Sequence, residues 1–196
     1  MMDNKEISRN TLKRYAILDA AAELLVVKPT ATMQEIADYA KIGIATLHRH
    51  FESREKLTLE IALRAIEMVT QALGSIQVET SNPQNTLTVI MEVLIPLGNK
   101  IYFLMVDDSL CGDANLMAAQ AKIEEPLLQL IKQWQSAGYL RKDMPADWML
   151  SVMNNLLFAT WQNIHDGRLA RKSAADLLVQ TLLFGFSSPS DNQPAN

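Results

Sequence analysis

Apolar residues recur at spacings of three and four along almost the whole chain, and strand-like alternation is nearly absent, so the pattern predicts an all-α fold. Residues 11–27 (TLKRYAILDAAAELLVV) set Tyr15, Ile17, Leu18, Ala21, Ala22, Leu24 and Leu25 along one broad face. Lys28-Pro29 stops this helix, because a residue before proline is pushed out of the helical region. Thr32-Met33-Gln34-Glu35 is an S/T-x-x-E capping box that opens a short helix over 33–40, with Ile36, Ala37 and Ala40 facing inward. Lys41-Ile42-Gly43 makes a tight turn, Ile44–Phe51 a third short helix, and Ser53 caps a long fourth helix from Arg54 to Leu73.

The rest of the chain reads differently. Residues 74–83 (GSIQVETSNP) form a loop, and a helix over 84–97 follows, kinked or ended by Pro96. The stretch 99–106 (NKIYFLMV) is very apolar. A long helix over 113–136 contains Pro126 and stops before Gly138. Pro145 opens a helix over 146–165, closed by Gly167, and the last helix covers 172–187. Residues 188–196 are poor in hydrophobics and read as a disordered tail. The pattern therefore divides into a unit over 10–70, with a helix-turn-helix at 33–52, and a larger helical unit over 75–187.

Composition narrows the class. The chain has 196 residues, 48% hydrophobic and 20% charged, as in a soluble globular protein with a real core. Its start is not a signal peptide, and no apolar run reaches the roughly 18 residues of a membrane span, which predicts a cytoplasmic protein with no membrane partner. The single Cys111 excludes an intramolecular disulfide and reads as a plain thiol. A net charge of −4 argues against nucleic acid only until its distribution is examined. Residues 1–60 carry nine basic and nine acidic side chains, so the deficit lies entirely downstream. A local patch sets the field that a phosphate meets, and the amino-terminal third remains eligible.

The run IGIATLHRHF at 42–51 carries the candidate chemistry. Residues on a helix are about 100° apart, so His48 and His50 diverge by about 200°, and no Cys, Asp or Glu stands nearby at ligand spacing. No metal or cofactor is expected, and no nucleophile motif or Gly-rich phosphate loop suggests an enzyme. The same angles turn Leu47 and Phe51 inward over Ile42. Ala45 and Arg49 fall on one outward stripe, Ile44 and His48 on its neighbour. His50 lies between, either wedged against the core or touching phosphate. Two short helices about a tight turn, with the small Ala37 where they approach, make a helix-turn-helix whose second helix enters the major groove.

At this point the sequence resembles a known family. Residues 17–63, through ILDAAAELL, TMQEIADYAKIGIATLHRHF and ESREKL, resemble the DNA-binding domain of the TetR family of bacterial regulators. The resemblance implies a three-helix DNA-binding domain joined by a long fourth helix to a helical ligand-binding and dimerisation domain. Two departures stand out: Lys41 occupies a turn position that is usually glycine, and His48 one that is usually tyrosine. Carried over position by position, Thr32, His48, His50 and Lys56 resemble phosphate contacts, while Ile44, Ala45, Thr46 and Arg49 face base edges. Lys41 adds a basic side chain near DNA.

The last two helices are apolar almost all round, more than one face requires. This leaves two readings, plain core or a four-helix homodimer interface, with Met149, Met153, Leu156, Leu178 and Leu182 as interface candidates. For a ligand pocket the adaptable Met and aromatic side chains are the candidates: Met91, Phe103, Met105, Met117, Trp134, Phe158 and Trp161. The expected protein is a homodimeric repressor, released from a palindromic double-stranded DNA operator by a small apolar or amphipathic effector. The alternative is a helical-bundle ligand-binding protein or enzyme with a vestigial helix-turn-helix.

Overall fold

The computed structural model of the chain describes residues 9–98, 100 and 112–185. Phe103, Met105, Cys111 and the 188–196 tail lie outside the described residues. Every regular element among the described residues is helical: α1 (Arg9–Val27), α2 (Met33–Tyr39), α3 (Ile44–His50), α4 (Arg54–Gly74), α5 (Pro83–Leu94) with a 3-10 turn at Ile95–Leu97, α6 (Ala114–Ser136), α7 (Ala146–His165) and α8 (Arg171–Phe184). They divide into two compact units, with the division inside α4 after Glu67 and inside α6 after Ala118. The described residues from 9 to 67, 100 and 112–118 group together, and 68–98 with 119–185 form the second unit.

The first unit is built on α1. Ile17, Leu18, Ala21, Ala22 and Leu25 are buried along one face, at the spacing of three and four that an amphipathic helix needs. Ile36 and Ala37 from α2, Leu47 from α3, Phe51, and Leu57, Ile61 and Ala62 from α4 complete the core. Ala37 is fully buried, and its carbonyl accepts the Ile42 amide at 3.0 Å, closing the turn between α2 and α3. Lys41 within that turn has φ 55°, the left-handed conformation that glycine adopts freely and other residues rarely.

In the second unit α8 packs on α5 and α7. α5 starts at Pro83, behind an Asn82 side chain that accepts the Asn85 amide at 3.0 Å. The long loop before it is pinned twice. The Thr86 hydroxyl donates to the Glu79 carbonyl at 2.8 Å, and the Trp134 indole N–H donates to the Thr80 carbonyl at 2.9 Å. Gln135 closes the loop after α6, donating to the Arg141 and Met144 carbonyls at 2.9 and 2.8 Å. Pro126 sits inside α6, which runs on despite losing one amide donor. Ile131, Ala146 and Leu150 form a buried cluster, with Met149 and Met153 packed on its edge.

Two of the interface candidates, Leu178 and Met149, pack within the chain's own unit. Leu178 is only 3% exposed and belongs to the chain's own core, because α8 turns Ala174, Ala175, Leu178 and Val179 into its own unit. Met149 is half-buried and packs against the internal cluster. The exposed apolar side chains of the last two helices are instead Trp148, Leu177 and Phe184.

Candidate functional site

The helix-turn-helix is held by short-range chemistry. Thr32 caps α2: its hydroxyl oxygen accepts the Glu35 amide at 3.3 Å, and the Glu35 carboxylate accepts the Thr32 amide at 2.8 Å. Lys28 adds an ion pair to Glu35 at 2.5 Å. The Lys28 hydrogen bond and the Thr32 amide hold the Glu35 carboxyl down at about 2, so it is ionised at any physiological pH. This box uses the Thr32 amide and hydroxyl themselves. The Met33 and Gln34 amides, which bond no described residue, are what the start of α2 offers to a phosphate.

α3 turns one side inward and the other to solvent. Leu47 is fully buried, while Ala45, His48 and Arg49 are exposed and Ile44 and Thr46 half-buried. Lys41 and Lys56 are exposed as well, Lys56 in the first turn of α4, where its amide donates to the Ser53 hydroxyl at 3.2 Å. Apart from Thr32, each predicted DNA-facing residue therefore keeps its side chain available. His50 is half-buried, its ring centroid 6.2 Å from that of Phe51. Burial, then the positive charges of Arg49, Arg14 and Lys13, pushes its pKa below the ordinary histidine value. Near pH 7 it is a neutral imidazole, with one N–H to donate. Among the described residues no group of three or more His, Cys, Asp or Glu side chains is placed to share a metal ion.

Two arginines that sequence reasoning passed over position this surface. Arg14 on α1 pairs with Glu60 on α4, donates to the His50 carbonyl at 2.8 Å and lies 4.5 Å from the Phe51 ring centroid. It thereby ties the carboxyl end of α3 to α1 and α4. Arg54, the first residue of α4, donates to the Pro29 carbonyl at 2.5 Å and to the Ala31 carbonyl, fixing the loop that leads into Thr32. A basic residue next to a helix cap was the available signal, but the partners lie 23 and 25 residues away.

The second unit holds a cavity of about 430 Å³, within the size range of small-molecule sites. Leu73 and Gly74 at the end of α4, Ile76 and Val78 in the following loop, Ile90 on α5 and one side of α6 line it. None of the predicted pocket residues among those described lines this cavity. Met91 and Trp134 are buried in the core, Met117 is 61% exposed, and neither Phe158 nor Trp161 reaches the lining. Trp161 instead stacks on His165 and Phe158, with ring centroids 5.4 and 6.4 Å apart. Large adaptable side chains fill space, so the strongest packers here close the core and aliphatic residues border the void.

This arrangement is that of a DNA-binding regulator with a helix-turn-helix head and a helical second unit. Residues 17–61 match the family model described as "Bacterial regulatory proteins, tetR family", so the amino-terminal unit carries a DNA-binding domain of the TetR type. It is 28% identical over 178 residues to the HTH-type transcriptional repressor LfrR of Mycolicibacterium smegmatis, spanning 88% of this chain and 89% of that one. It is 24% identical over 176 residues to the HTH-type transcriptional regulator NfxB of Pseudomonas aeruginosa, spanning 88% of this chain and 94% of that protein. The fold superposes on the LfrR–proflavine complex from Mycobacterium smegmatis with a TM-score of 0.71 at 25% identity, covering 90% of this chain and 98% of that one. For AibR in complex with isovaleryl coenzyme A and operator DNA the TM-score is 0.67 at 23% identity, covering 87% and 98%. These relatives are transcriptional regulators. Among the described residues no helix is long and apolar enough to cross a membrane.

Proposed function

We propose that the chain is a cytoplasmic, homodimeric repressor that leaves a palindromic operator when a small amphipathic molecule enters the cavity of the second unit. The observation that carries the reading is the exposed set Ala45, His48 and Arg49 on α3, with Lys41 and Lys56 beside it, anchored from below by the fully buried Leu47. In this reading Lys41, His48 and Lys56 grip phosphates together with the start of α2, and Arg49 reads a base edge. The half-buried candidates Met153, Leu156 and Leu182, with the exposed apolar side chains Trp148, Leu177 and Phe184 of the same two helices, meet a second copy in this reading. The named repressor LfrR, with its proflavine complex, and AibR, with its complex of isovaleryl coenzyme A and operator DNA, support the combination of DNA and small-molecule binding. α4 is the natural link: Arg54 at its start holds the loop before Thr32, and Leu73 and Gly74 at its end border the cavity.

The test is selection of bound DNA from random duplexes with the purified protein, followed by titration of the selected site. A palindromic site is expected, with log K falling linearly against log salt. Arg49→Ala should lose about 1–3 kcal/mol at one base pair per half-site while non-specific binding changes little. Failure to enrich any duplex would remove the DNA-binding assignment. Equal losses on selected and random DNA would make Arg49 a backbone contact.

A further inference from the structure

We infer that the effector is a monoanionic amphiphile, an apolar chain ending in one carboxylate, selected by Lys122 at the wall of the cavity. The inference rests on the reading of that cavity as the effector site. On α6 the lining residues sort into two neighbouring stripes: Lys122, Gln129 and Gln133 at spacings of seven and four, and Ile123, Leu127 and Leu130 beside them. One helix thus gives the cavity a polar edge and an apolar edge, and the remaining wall from α4, the loop and α5 is mostly aliphatic. A ligand that satisfies both edges has a hydrocarbon body and a polar head.

The charge of the head follows from what lines the polar edge. Lys122 is the single charged residue of the lining, and no Asp or Glu is part of it. Among the described residues Lys122 forms no salt bridge, so its ammonium has no competing carboxylate to displace. The Gln129 amide nitrogen already donates one of its two protons at 2.6 Å to Glu125, an exposed residue outside the lining, and Lys122 and Gln133 are the donors of this edge with no side-chain bond to another described residue. A cationic head would meet a like charge with no counter-charge. A neutral head would gain ordinary hydrogen bonds. A carboxylate gains a charge-assisted bond, roughly twice as strong. A head with two or three negative charges would find only one cation.

The experiment uses the full chain and three probes of equal chain length: decanoate, decanol and decylammonium. Binding is followed by calorimetry and by tryptophan emission, to which Trp134 contributes through an indole whose N–H bonds the carbonyl of the cavity residue Thr80. Decanoate should bind about five- to tenfold more tightly than decanol, with decylammonium weakest, the gain expected of one charge-assisted bond at a half-open site. Lys122→Gln should bring decanoate to the level of decanol without changing decanol. Lys122→Glu should reverse the order of decanoate and decylammonium. Lys122 is exposed, so both variants should keep wild-type helicity. Ile123→Trp, checked for helicity, should weaken all three probes by filling the cavity. If the three probes bind alike, or Lys122→Gln changes none of them, while Ile123→Trp still weakens binding, the charge selection is wrong and the cavity reading survives. If no probe binds, or a folded Ile123→Trp variant binds as before, the cavity is not the effector site and both fall.

Discussion

Lys41 offers the sharpest test of the reading head, because one side chain joins two opposed effects. Its φ of 55° places a Cβ where the left-handed conformation costs about 1–2 kcal/mol. Glycine would remove that cost but lose about 0.5–1 kcal/mol more backbone entropy on folding. Replacing Lys41 by alanine or by glycine removes the same charge from the same exposed position. The two variants therefore differ mainly in strain, and glycine should be the more stable by about 0.5–1 kcal/mol. For a chain of this size that is about 1–4 °C in melting temperature, measurable by scanning calorimetry. DNA binding should show the other effect. In both variants the slope of log K against log salt should shallow by about one for each phosphate that Lys41 neutralises, and by the same amount. An alanine variant as stable as the glycine variant would show that residue 41 is not held at positive φ. A salt slope unchanged in both would remove Lys41 from the residues that grip phosphate.

Two further outcomes separate core from surface and fix a pH response. Leu178→Ala should destabilise the fold by about 2–5 kcal/mol, read from its urea midpoint, because the side chain is buried in its own unit. Leu177→Glu, at a position 53% exposed, should keep wild-type helicity and shift the sedimenting species from dimer to monomer; an unchanged dimer would exclude this face. The lowered pKa of His50 means that the unfolded chain binds its proton more readily than the folded one. Stability should therefore fall as pH drops from the ordinary histidine value, about 6.5, through the lower folded value. His50→Gln should flatten that part of the urea-midpoint profile between pH 7 and 5, and parallel profiles would show that His50 contributes nothing.

The head was legible in the sequence because its determinants are local. A threonine cap and its glutamate lie three residues apart, and the turn and the inward Leu47 follow from helix angles alone. The arginines that brace it were not legible. Arg14 bonds a carbonyl 36 residues on and a carboxylate 46 residues on, and no periodicity reports a tertiary hydrogen bond. The second unit was less legible. Leu178 looked surplus to one chain because helix α8 is apolar on several sides, yet α5 and α7 cover that part of it. Met91 and Trp134 looked like pocket walls by residue type, but type does not separate a side chain that fills space from one that borders it. The spacing of Lys122, Gln129 and Gln133 was readable from the start, and only the position of the void gave it meaning.

Gly98 and Trp161 should leave a signature in the history of this chain. A Cβ built on Gly98 would stand 2.0 Å from Cδ1 of Trp161, whereas Gly43 and Gly74 have open space around them. Substitutions at Gly43 and Gly74 face no such collision and can accumulate singly. Position 98 is closed more tightly than loss of the indole could relieve, because the Cβ of residue 161 itself would stand 2.6 Å from the new one and the backbone would have to shift. The glycine should therefore persist even in descendants that have lost the tryptophan.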